Sequence, residues 1–250
     1  MRRIFWIFLI LLMIIFQGTP FAKESQKITA AVAANFVRPM ERLIDIFEHQ
    51  TGIKVEATYS STGKLYAQIK NGAPFDIFLA ADTKRPELLF EQDLCLKPIT
   101  YARGQAVLWV LKSSGLCVAS EWQEVIRNPK VKKISIASPQ TAPYGEAAKT
   151  ALVKAGLWDQ IKQRLVFAQA VSQSFQYAQL GTVDASFTAL SYALSDKGRM
   201  GCYWTIPQAP LIVQDGCILK RTKNKTASRQ FLEFITTKEA KEVLSRYGYR

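Results

Sequence analysis

Strand-like and helix-like segments alternate along this chain from residue 27 to its end. KITAAVAA (27–34) reads as a strand, and apolar residues then recur at helical spacing over residues 37–47. The same alternation predicts further strands at IKVEATY, FDIFLAA, AVLWVLK, ISIAS, RLVFAQA, DASFTAL and PLIVQDGCIL. Two helical stretches close the chain. This order predicts an α/β fold with largely parallel sheets, built as one large domain or two small ones.

Four small polar junctions lie where a predicted strand ends and a helix begins. They are AANF (33–36), SSTG (60–63), SPQTAPYG (138–145) and AVSQS (170–174). Open parallel sheets bind ligands beyond the carboxyl ends of their strands. Helix N-termini offer unpaired N–H groups and the positive end of the helix dipole. Any one junction could be an ordinary helix N-cap, but four together favour a shared anion site.

The first 22 residues predict a cleaved signal peptide. Arg2 and Arg3 precede an unbroken apolar run over residues 4–16. That run is short for a membrane span, which needs roughly 20 residues, and it is typical of the apolar part of a signal peptide. Ala22 is the predicted cleavage point. We therefore expect an exported, soluble, periplasmic protein, with an uncleaved anchor as the alternative.

The chain is basic, with a formal charge of +13 that becomes +11 when the two leader arginines are removed. Such a balance suits anionic partners. The Lys and Arg residues are scattered, however, and the densest run, residues 220–225, directly precedes a helix. We read that run as a solvated turn and expect no nucleic-acid partner.

The four cysteines are Cys95, Cys117, Cys202 and Cys217. No C-x-x-C motif occurs and the only histidine is His49, so we expect no metal site. An even cysteine count in an exported protein predicts disulfides. Three connectivities are possible, and short spacing favours Cys95–Cys117 with Cys202–Cys217. Four buried thiols are the alternative, and His49 is expected on the surface near a helix C-terminus.

Several catalytic motifs are absent or incomplete. STGK (61–64) resembles the end of a phosphate-binding P-loop, but Thr58 stands where that motif needs Gly and Leu65 where it needs Ser or Thr. No G-x-S-x-G motif supports a serine nucleophile. Asp76 and Asp82 flank a strand, so a hydrolase with paired carboxylates stays open, although a turn and a helix start explain them more simply.

Four stretches carry a resemblance to a known family. They are ITAAVAANF, YSSTGKLYAQIKNGAPFDIFLAAD, IASPQTAPYGEAAKTALVKAGLWD and the ending LSRYGY. With them the chain resembles the periplasmic molybdate-binding proteins of ABC-type importers. The resemblance implies a two-lobe periplasmic binding protein fold of type II, with mostly parallel sheets and a two-strand hinge, that closes over one tetrahedral dianion. It implies neither enzymatic activity nor a cofactor.

The lobe boundaries follow from this resemblance. We predict that residues 27–104 form lobe 1, which residues 213–250 complete, and that residues 105–212 form lobe 2. The crossings near AVLWVLK and PLIVQDGC are expected to act as the hinge.

The resemblance also implies which residues hold the ligand. Family members use neutral hydroxyls, amides and backbone N–H groups. The matching positions are Asn35, Thr62, Tyr144 and Val171, with Ser61 and Ala34 as adjacent candidates. Val171 can contribute only its backbone. Some members have a Tyr ligand where this chain has Thr188, and some have Ser where it has Asn35.

The residues themselves favour the same ligands. Molybdate and tungstate carry no proton at neutral pH, so their oxygens only accept hydrogen bonds, whereas the remaining proton of phosphate needs an acceptor. We therefore predict a monomer that binds molybdate or tungstate and delivers it to a membrane ABC permease. The alternatives are a carrier of sulfate or another tetrahedral oxyanion, a ligand sensor for a partner protein, and a periplasmic hydrolase that uses Asp76 or Asp82.

Overall fold

The computed structural model describes residues 26–250, which form two five-stranded sheets flanked by helices. The predicted signal peptide lies outside these residues. The strands are β1 (Lys27–Ala33), β2 (Lys54–Ser60), β3 (Ile77–Leu79), β4 (Ile99–Gly104), β5 (Ala106–Leu111), β6 (Ile134–Ala137), β7 (Leu165–Ala168), β8 (Ala185–Ala189), β9 (Gly201–Thr205) and β10 (Ile212–Ile218).

Ten α-helices lie in the described part of the chain. They are α1 (Val37–Thr51), α2 (Thr62–Lys70), α3 (Lys84–Glu91), α4 (Trp122–Arg127), α5 (Pro143–Lys154), α6 (Trp158–Ile161), α7 (Val171–Gln179), α8 (Leu190–Ala193), α9 (Lys225–Phe234) and α10 (Lys238–Arg246). The alternation of strands and helices read from the sequence is confirmed.

Each sheet combines parallel and antiparallel strands. The first sheet has the order β2-β1-β3-β10-β4, and the second has the order β7-β6-β8-β5-β9. Strand β1 pairs in parallel with β2 and β3, and β6 does so with β7 and β8. The remaining pairs, which involve β10 and β5, are antiparallel. The two-lobed α/β architecture is confirmed, but the sheets are mixed and not mostly parallel as predicted, because β10 and β5 run antiparallel to their neighbours.

The chain changes sheets twice. It leaves the first sheet at Gln105, between β4 and β5, and it returns after β9 at the start of β10. Strands β4 and β9 were not predicted from the sequence. Both lie at sheet edges and are partly exposed, which weakens the apolar pattern by which a strand is recognised.

Apolar side chains on one face of each helix cover the sheets. In α1, Met40, Leu43 and Phe47 are buried, and the ring of Phe47 lies edge-on to that of Phe231 at 5.0 Å. The helix ends at Gly52, whose φ of 71° is a left-handed conformation that glycine adopts at little cost. This packing holds the start of α1, and so the AANF junction, at the end of β1.

The predicted cysteine pairing is wrong. Cys117 is bonded to Cys202 with a Cα–Cα distance of 5.7 Å, and Cys95 and Cys217 are buried thiols. The bonded pair spans 85 residues of sequence. Strand β9, which holds Cys202, lies antiparallel beside β5, and Cys117 follows β5. Sheet pairing therefore decides which cysteines meet, and short spacing along the chain does not.

Candidate functional site

A small cavity of about 10 Å³ lies between residues of the two lobes. Its lining residues are Ala33, Ala34, Asn35, Ser61, Thr62, Ala81, Ala142, Pro143, Tyr144 and Val171. All four polar junctions contribute to it, and all six residues predicted to hold a ligand are among them. Each of those six is at most 4% exposed. Their contact with an anion stays a prediction.

Strand register explains why the junctions meet. In the first sheet Ala33, the last residue of β1, is the register partner of Ser60, the last residue of β2. In the second sheet Ala137 and Ala168 end β6 and β7 side by side in the same way. Parallel strands place their carboxyl ends at one edge, so the helical segments that follow them start close together.

Two glycines permit close packing at these helix starts. A Cβ at Gly145, in the first turn of α5, would lie 2.0 Å from the carbonyl oxygen of Ala137. A Cβ at Gly63, in α2, would lie 3.0 Å from the Cα of Thr141 across the interface. The N–H of Gly63 also donates to the carbonyl of Thr141 over 2.8 Å. Larger residues at either position would force these segments apart.

The helix starts at the cavity carry no side-chain cap. The residues at the N-cap positions are Ala33, which precedes a 3-10 turn (Ala34–Phe36) leading into α1, and Ser61, Ala142 and Ala170, and none of their side chains accepts a hydrogen bond from the helix. The alanine side chain has no acceptor to offer, and the first N–H groups of a helix have no partner within it. Side-chain capping therefore does not explain these junctions. Apart from the N–H of Gly63, which donates to Thr141, their first N–H groups are left to an acceptor in the cavity.

The cavity is electrically neutral in its side chains. None of the described residues that line it is charged. The nearby cations make other contacts: Arg85 pairs with Asp82 and donates to the carbonyl of Gln140 over 3.2 Å, and Lys64 donates to the side chain of Gln169 over 2.5 Å. Attraction for an anion would come from N–H dipoles and helix termini.

Ser61 and Thr62 differ in what their hydroxyls already contact. The Thr62 Oγ1 accepts a hydrogen bond from the backbone N–H of Ala81 over 3.0 Å. The Ser61 Oγ is buried without a hydrogen-bond partner among the described residues. Both hydroxyls keep a proton to donate, and Ser61 is the one of the two whose oxygen has no partner yet.

Asn35 directs its side-chain amide away from the cavity. Its Nδ2 donates to the Gln214 Oε1 over 2.8 Å and to the Tyr249 hydroxyl over 3.0 Å. Its backbone carbonyl accepts from the hydroxyls of Tyr249 (2.7 Å) and Ser191 (2.8 Å). The group that Asn35 can offer to a ligand is its backbone N–H.

The Tyr144 hydroxyl also lies in this polar network and not at a ligand position. It accepts from the Gln214 Nε2 over 3.4 Å, and a Cβ added at Gly104 would lie 2.1 Å from it. Burial raises the pKa of Tyr144 well above its usual value, and burial raises the pKa of Tyr249 to about 12. Both phenols therefore stay neutral beside the cavity.

We define the Gln214 network as Asn35, Tyr101, Tyr144, Gln214 and Tyr249. The Tyr101 hydroxyl donates to the Gln214 Oε1 over 3.1 Å and to the Ala80 carbonyl over 2.9 Å. Sequence reasoning missed Tyr101, Gln214 and Tyr249, because 179 residues separate Asn35 from Gln214 and 214 separate it from Tyr249. The only sequence signal was the closing LSRYGY.

The other residues singled out in the sequence lie elsewhere. The Asp76 carboxylate accepts from the N–H of Thr29 over 2.7 Å and from the hydroxyl of Thr222, and Asp82 pairs with Arg85. Neither carboxylate lines the cavity, and neither does Thr188.

His49 is exposed in the last turn of α1, as predicted. Within residues 26–250, no helix has the length and apolar character to span a membrane. No three His, Cys, Asp or Glu side chains in that part of the chain are grouped to hold a metal ion.

Comparison with known proteins places this geometry in context. Residues 28–250 match the model of a family described as bacterial extracellular solute-binding protein. The chain is 37% identical over 234 residues to the molybdate-binding protein ModA of Azotobacter vinelandii, with 91% of each chain covered.

Solved structures agree with that match. The Azotobacter vinelandii periplasmic molybdate-binding protein superposes with a TM-score of 0.83 at 33% identity, covering 89% of this chain and 98% of the other. The sulfate-binding protein SubI of Mycobacterium tuberculosis has a TM-score of 0.76 at 15% identity, covering 90% and 86%. This second likeness concerns the fold alone.

Proposed function

This chain belongs to the bacterial extracellular solute-binding protein family, and from that premise we propose that it binds molybdate or tungstate and delivers it to a membrane ABC permease. The observation that carries the proposal is the convergence of four uncapped helix starts on one neutral cavity. The similarity to ModA over nine-tenths of both chains supports the ligand class.

The proposed donors are mainly backbone groups. They are the N–H groups of Asn35, Tyr144 and Val171, with the Ser61 hydroxyl as a side-chain donor and Ala34 and Thr62 as neighbours. Donors of this kind are neutral and are fixed by the helices that carry them. A dianion gains several charge-assisted hydrogen bonds without a buried countercharge, which avoids the cost of taking a cation out of water.

Several acceptors beside the cavity are already used within the protein. The Ala34 carbonyl accepts from the Tyr192 hydroxyl over 2.5 Å, and the Asn35 carbonyl accepts from Tyr249 and Ser191. The Thr62 hydroxyl accepts from Ala81. An oxyanion that still carries a proton needs an acceptor, so this arrangement favours an unprotonated dianion such as molybdate over phosphate.

Sulfate remains the alternative ligand, because it is also an unprotonated dianion. The fold is shared with a sulfate-binding protein, which is compatible with sulfate as the ligand, but the two sequences are only 15% identical. A hydrolase is not favoured, since the carboxylates of Asp76 and Asp82 serve structural contacts away from the cavity. The solute-binding family and the neutral cavity both fit a carrier without enzymatic activity.

Delivery to a permease requires export and reversible closure. We propose that residues 1–22 direct a monomer to the periplasm. The lobes predicted from the sequence, residues 27–104 with 213–250 and residues 105–212, would close by bending at the two sheet crossings. The hydrogen bonds Gly63–Thr141 and Tyr192–Ala34 join residues of these two lobes, as a closed form would require.

Small-angle scattering tests this closure. A ligand that contacts both lobes shifts the population towards the closed form only by its differential affinity for that form. We expect the radius of gyration to fall when molybdate or tungstate is added to ligand-free protein, and to stay constant with phosphate. An unchanged radius at saturating molybdate would argue against hinge closure.

Uptake by cells tests delivery. Cells that express the chain should accumulate molybdate from submicromolar medium faster than cells that lack it, with the gap closing at high molybdate concentration. Equal uptake rates at low concentration would remove the transport role while leaving binding intact.

A further inference from the structure

Cys95 and Cys217 are neighbours in the interior of the first lobe. Both side chains are fully buried and belong to one apolar cluster. An isolated antiparallel bridge pairs Cys95 with Leu219, two residues beyond Cys217, and the N–H of Leu96 donates to the Ile218 carbonyl over 2.8 Å. Residues two apart on a strand point to the same face, so Cys217 lies on the face that Cys95 approaches.

Each of the two thiols shifts the pKa of the other. A hydrogen bond with Cys217 lowers the pKa of Cys95, and the same bond, together with burial, raises the pKa of Cys217 well above its usual value. The pKa shifts agree with the backbone pairing in making the two thiols neighbours, while the Cys95 thiol donates to the Pro86 carbonyl over 3.6 Å.

The chain has four cysteines, and the other two, Cys117 and Cys202, are already bonded. Every cysteine therefore has another as its neighbour. We propose that Cys95 and Cys217 form a second disulfide in the exported protein. This inference rests on the proposed export, because disulfides form and persist in oxidising compartments.

Bond formation is a thiol–disulfide exchange. The Cys95 thiolate attacks a disulfide of an oxidised thiol oxidoreductase or of oxidised glutathione, and one sulfur of that reagent leaves as a thiol. The Cys217 thiolate then attacks the mixed disulfide, forms the Cys95–Cys217 bond and releases the second thiol. The reagent takes up two electrons and two protons. Because both sulfurs are buried in the fold, the exchange takes place during folding.

The proposed disulfide would restrain β10, the strand on which Gln214 lies. Cys217 lies on β10 three residues after Gln214, and Cys95 follows α3. A cross-link there would tie β10 to the first lobe on one side of the chain crossing. During hinge motion the second lobe would then move relative to β10, which the disulfide would fix near the end of the strand.

Thiol counting on the wild-type protein tests the proposal. Protein purified from the periplasm is denatured without reductant, treated with iodoacetamide and analysed by mass spectrometry. We expect no alkylated cysteine, and a cross-linked peptide pair that contains Cys95 and Cys217. Alkylation at both of these residues, or a cross-link from Cys95 to Cys117 or Cys202, would overturn the proposal.

A double cysteine variant and a refolding experiment in vitro test the Cys95–Cys217 pairing separately from the proposed export. The double variant Cys117→Ala/Cys202→Ala retains only the proposed pair, and dithiothreitol should lower its melting temperature. Reduced wild-type protein refolded with oxidised glutathione should form the Cys95–Cys217 bond without any export. If that bond forms in vitro but no protein is recovered from the periplasm, export fails and the pairing stands. If refolded protein keeps both thiols, the pairing itself is wrong.

Discussion

The hydroxyl of Tyr249 donates a hydrogen bond to the backbone carbonyl of Asn35 over 2.7 Å and accepts one from the Asn35 side-chain amide over 3.0 Å. The penultimate residue of the chain thus holds the first junction of the cavity in place. Its ring also packs edge-on to Phe36 at 5.3 Å. The C-terminal segment is therefore part of the binding site's support, although it does not line the cavity.

Removing this hydroxyl should weaken the fold more than the binding. In Tyr249→Phe the Asn35 amide and carbonyl each lose a buried partner, which should lower the free energy of unfolding by about 1–3 kcal/mol. Affinity for molybdate should fall by less than about tenfold, because the cavity donors remain. Urea denaturation and calorimetry measure the two effects. Tyr247→Phe is the matched control, and equal stability of the two variants would contradict the role of Tyr249.

Ser61 and Thr62 should be separable by substitution. Ser61→Ala removes a donor that has no protein partner, so affinity should fall about tenfold or more, since a hydrogen bond to a charged group contributes roughly 1.5–3 kcal/mol. Its stability without ligand should hardly change. Thr62→Val leaves the Ala81 N–H unpaired and should lower stability as well. Unaltered affinity in Ser61→Ala, measured by calorimetry, would exclude Ser61 from the ligand contacts.

A proline substitution tests a backbone donor directly. Val171 is the first residue of α7, and Ala170 before it is extended, with φ −146° and ψ 160°, so proline is tolerated there. Val171→Pro removes the N–H and should weaken molybdate binding about tenfold or more. Val171→Ala keeps the N–H and should bind like the parent. The idea of a backbone donor at 171 is lost if both variants have the same dissociation constant.

Asn35→Asp tests the sign of the site. The new carboxylate would replace the amide in the Gln214 network, beside the cavity, and one pair of unit charges about 4 Å apart costs ~4 kcal/mol at an effective dielectric near 20. Affinity at neutral pH should fall ~1,000-fold or more by that estimate. Burial and the nearby anion raise the pKa of such a carboxyl, so affinity should recover as the pH falls through that raised pKa and the group becomes neutral.

Asn35→Ser is the comparison for that test. It avoids the charge but loses both amide hydrogen bonds to Gln214 and Tyr249, so it should lower stability while it retains much of the affinity. Tungstate titrations over the same pH range control for protonation of molybdate. Binding by Asn35→Asp as tight as that of the parent would mean that no anion is held near Asn35.

Local patterns in the sequence predicted the α/β fold and the four junctions, because the periodicity of strands and helices and the small polar turns are properties of adjacent residues. The two lobes were implied by the family resemblance. The junction at Tyr144 shows how far local sequence patterns can predict the site. Its position was predicted, but the direction of its hydroxyl depends on Gln214, 70 residues away. The Cys117–Cys202 bond was missed for the same reason, since the pairing of β5 with β9 determines it.

The choice between Ser61 and Thr62 could not be made from the sequence either. Both are small hydroxyl residues at one strand end, and only the approach of the Ala81 N–H distinguishes them. The site residues as a set were predictable from a family resemblance, whereas the group that each one offers depends on contacts between distant segments.

Calorimetric titration of the ligand-free protein with molybdate, tungstate, sulfate and phosphate tests the central claim most directly. We expect saturable heat with molybdate and tungstate, weaker or no heat with sulfate, and none with phosphate, because the cavity presents mainly donors and several acceptors beside it are already used. Absence of heat with both molybdate and tungstate, or binding of phosphate in preference to them, would contradict the account.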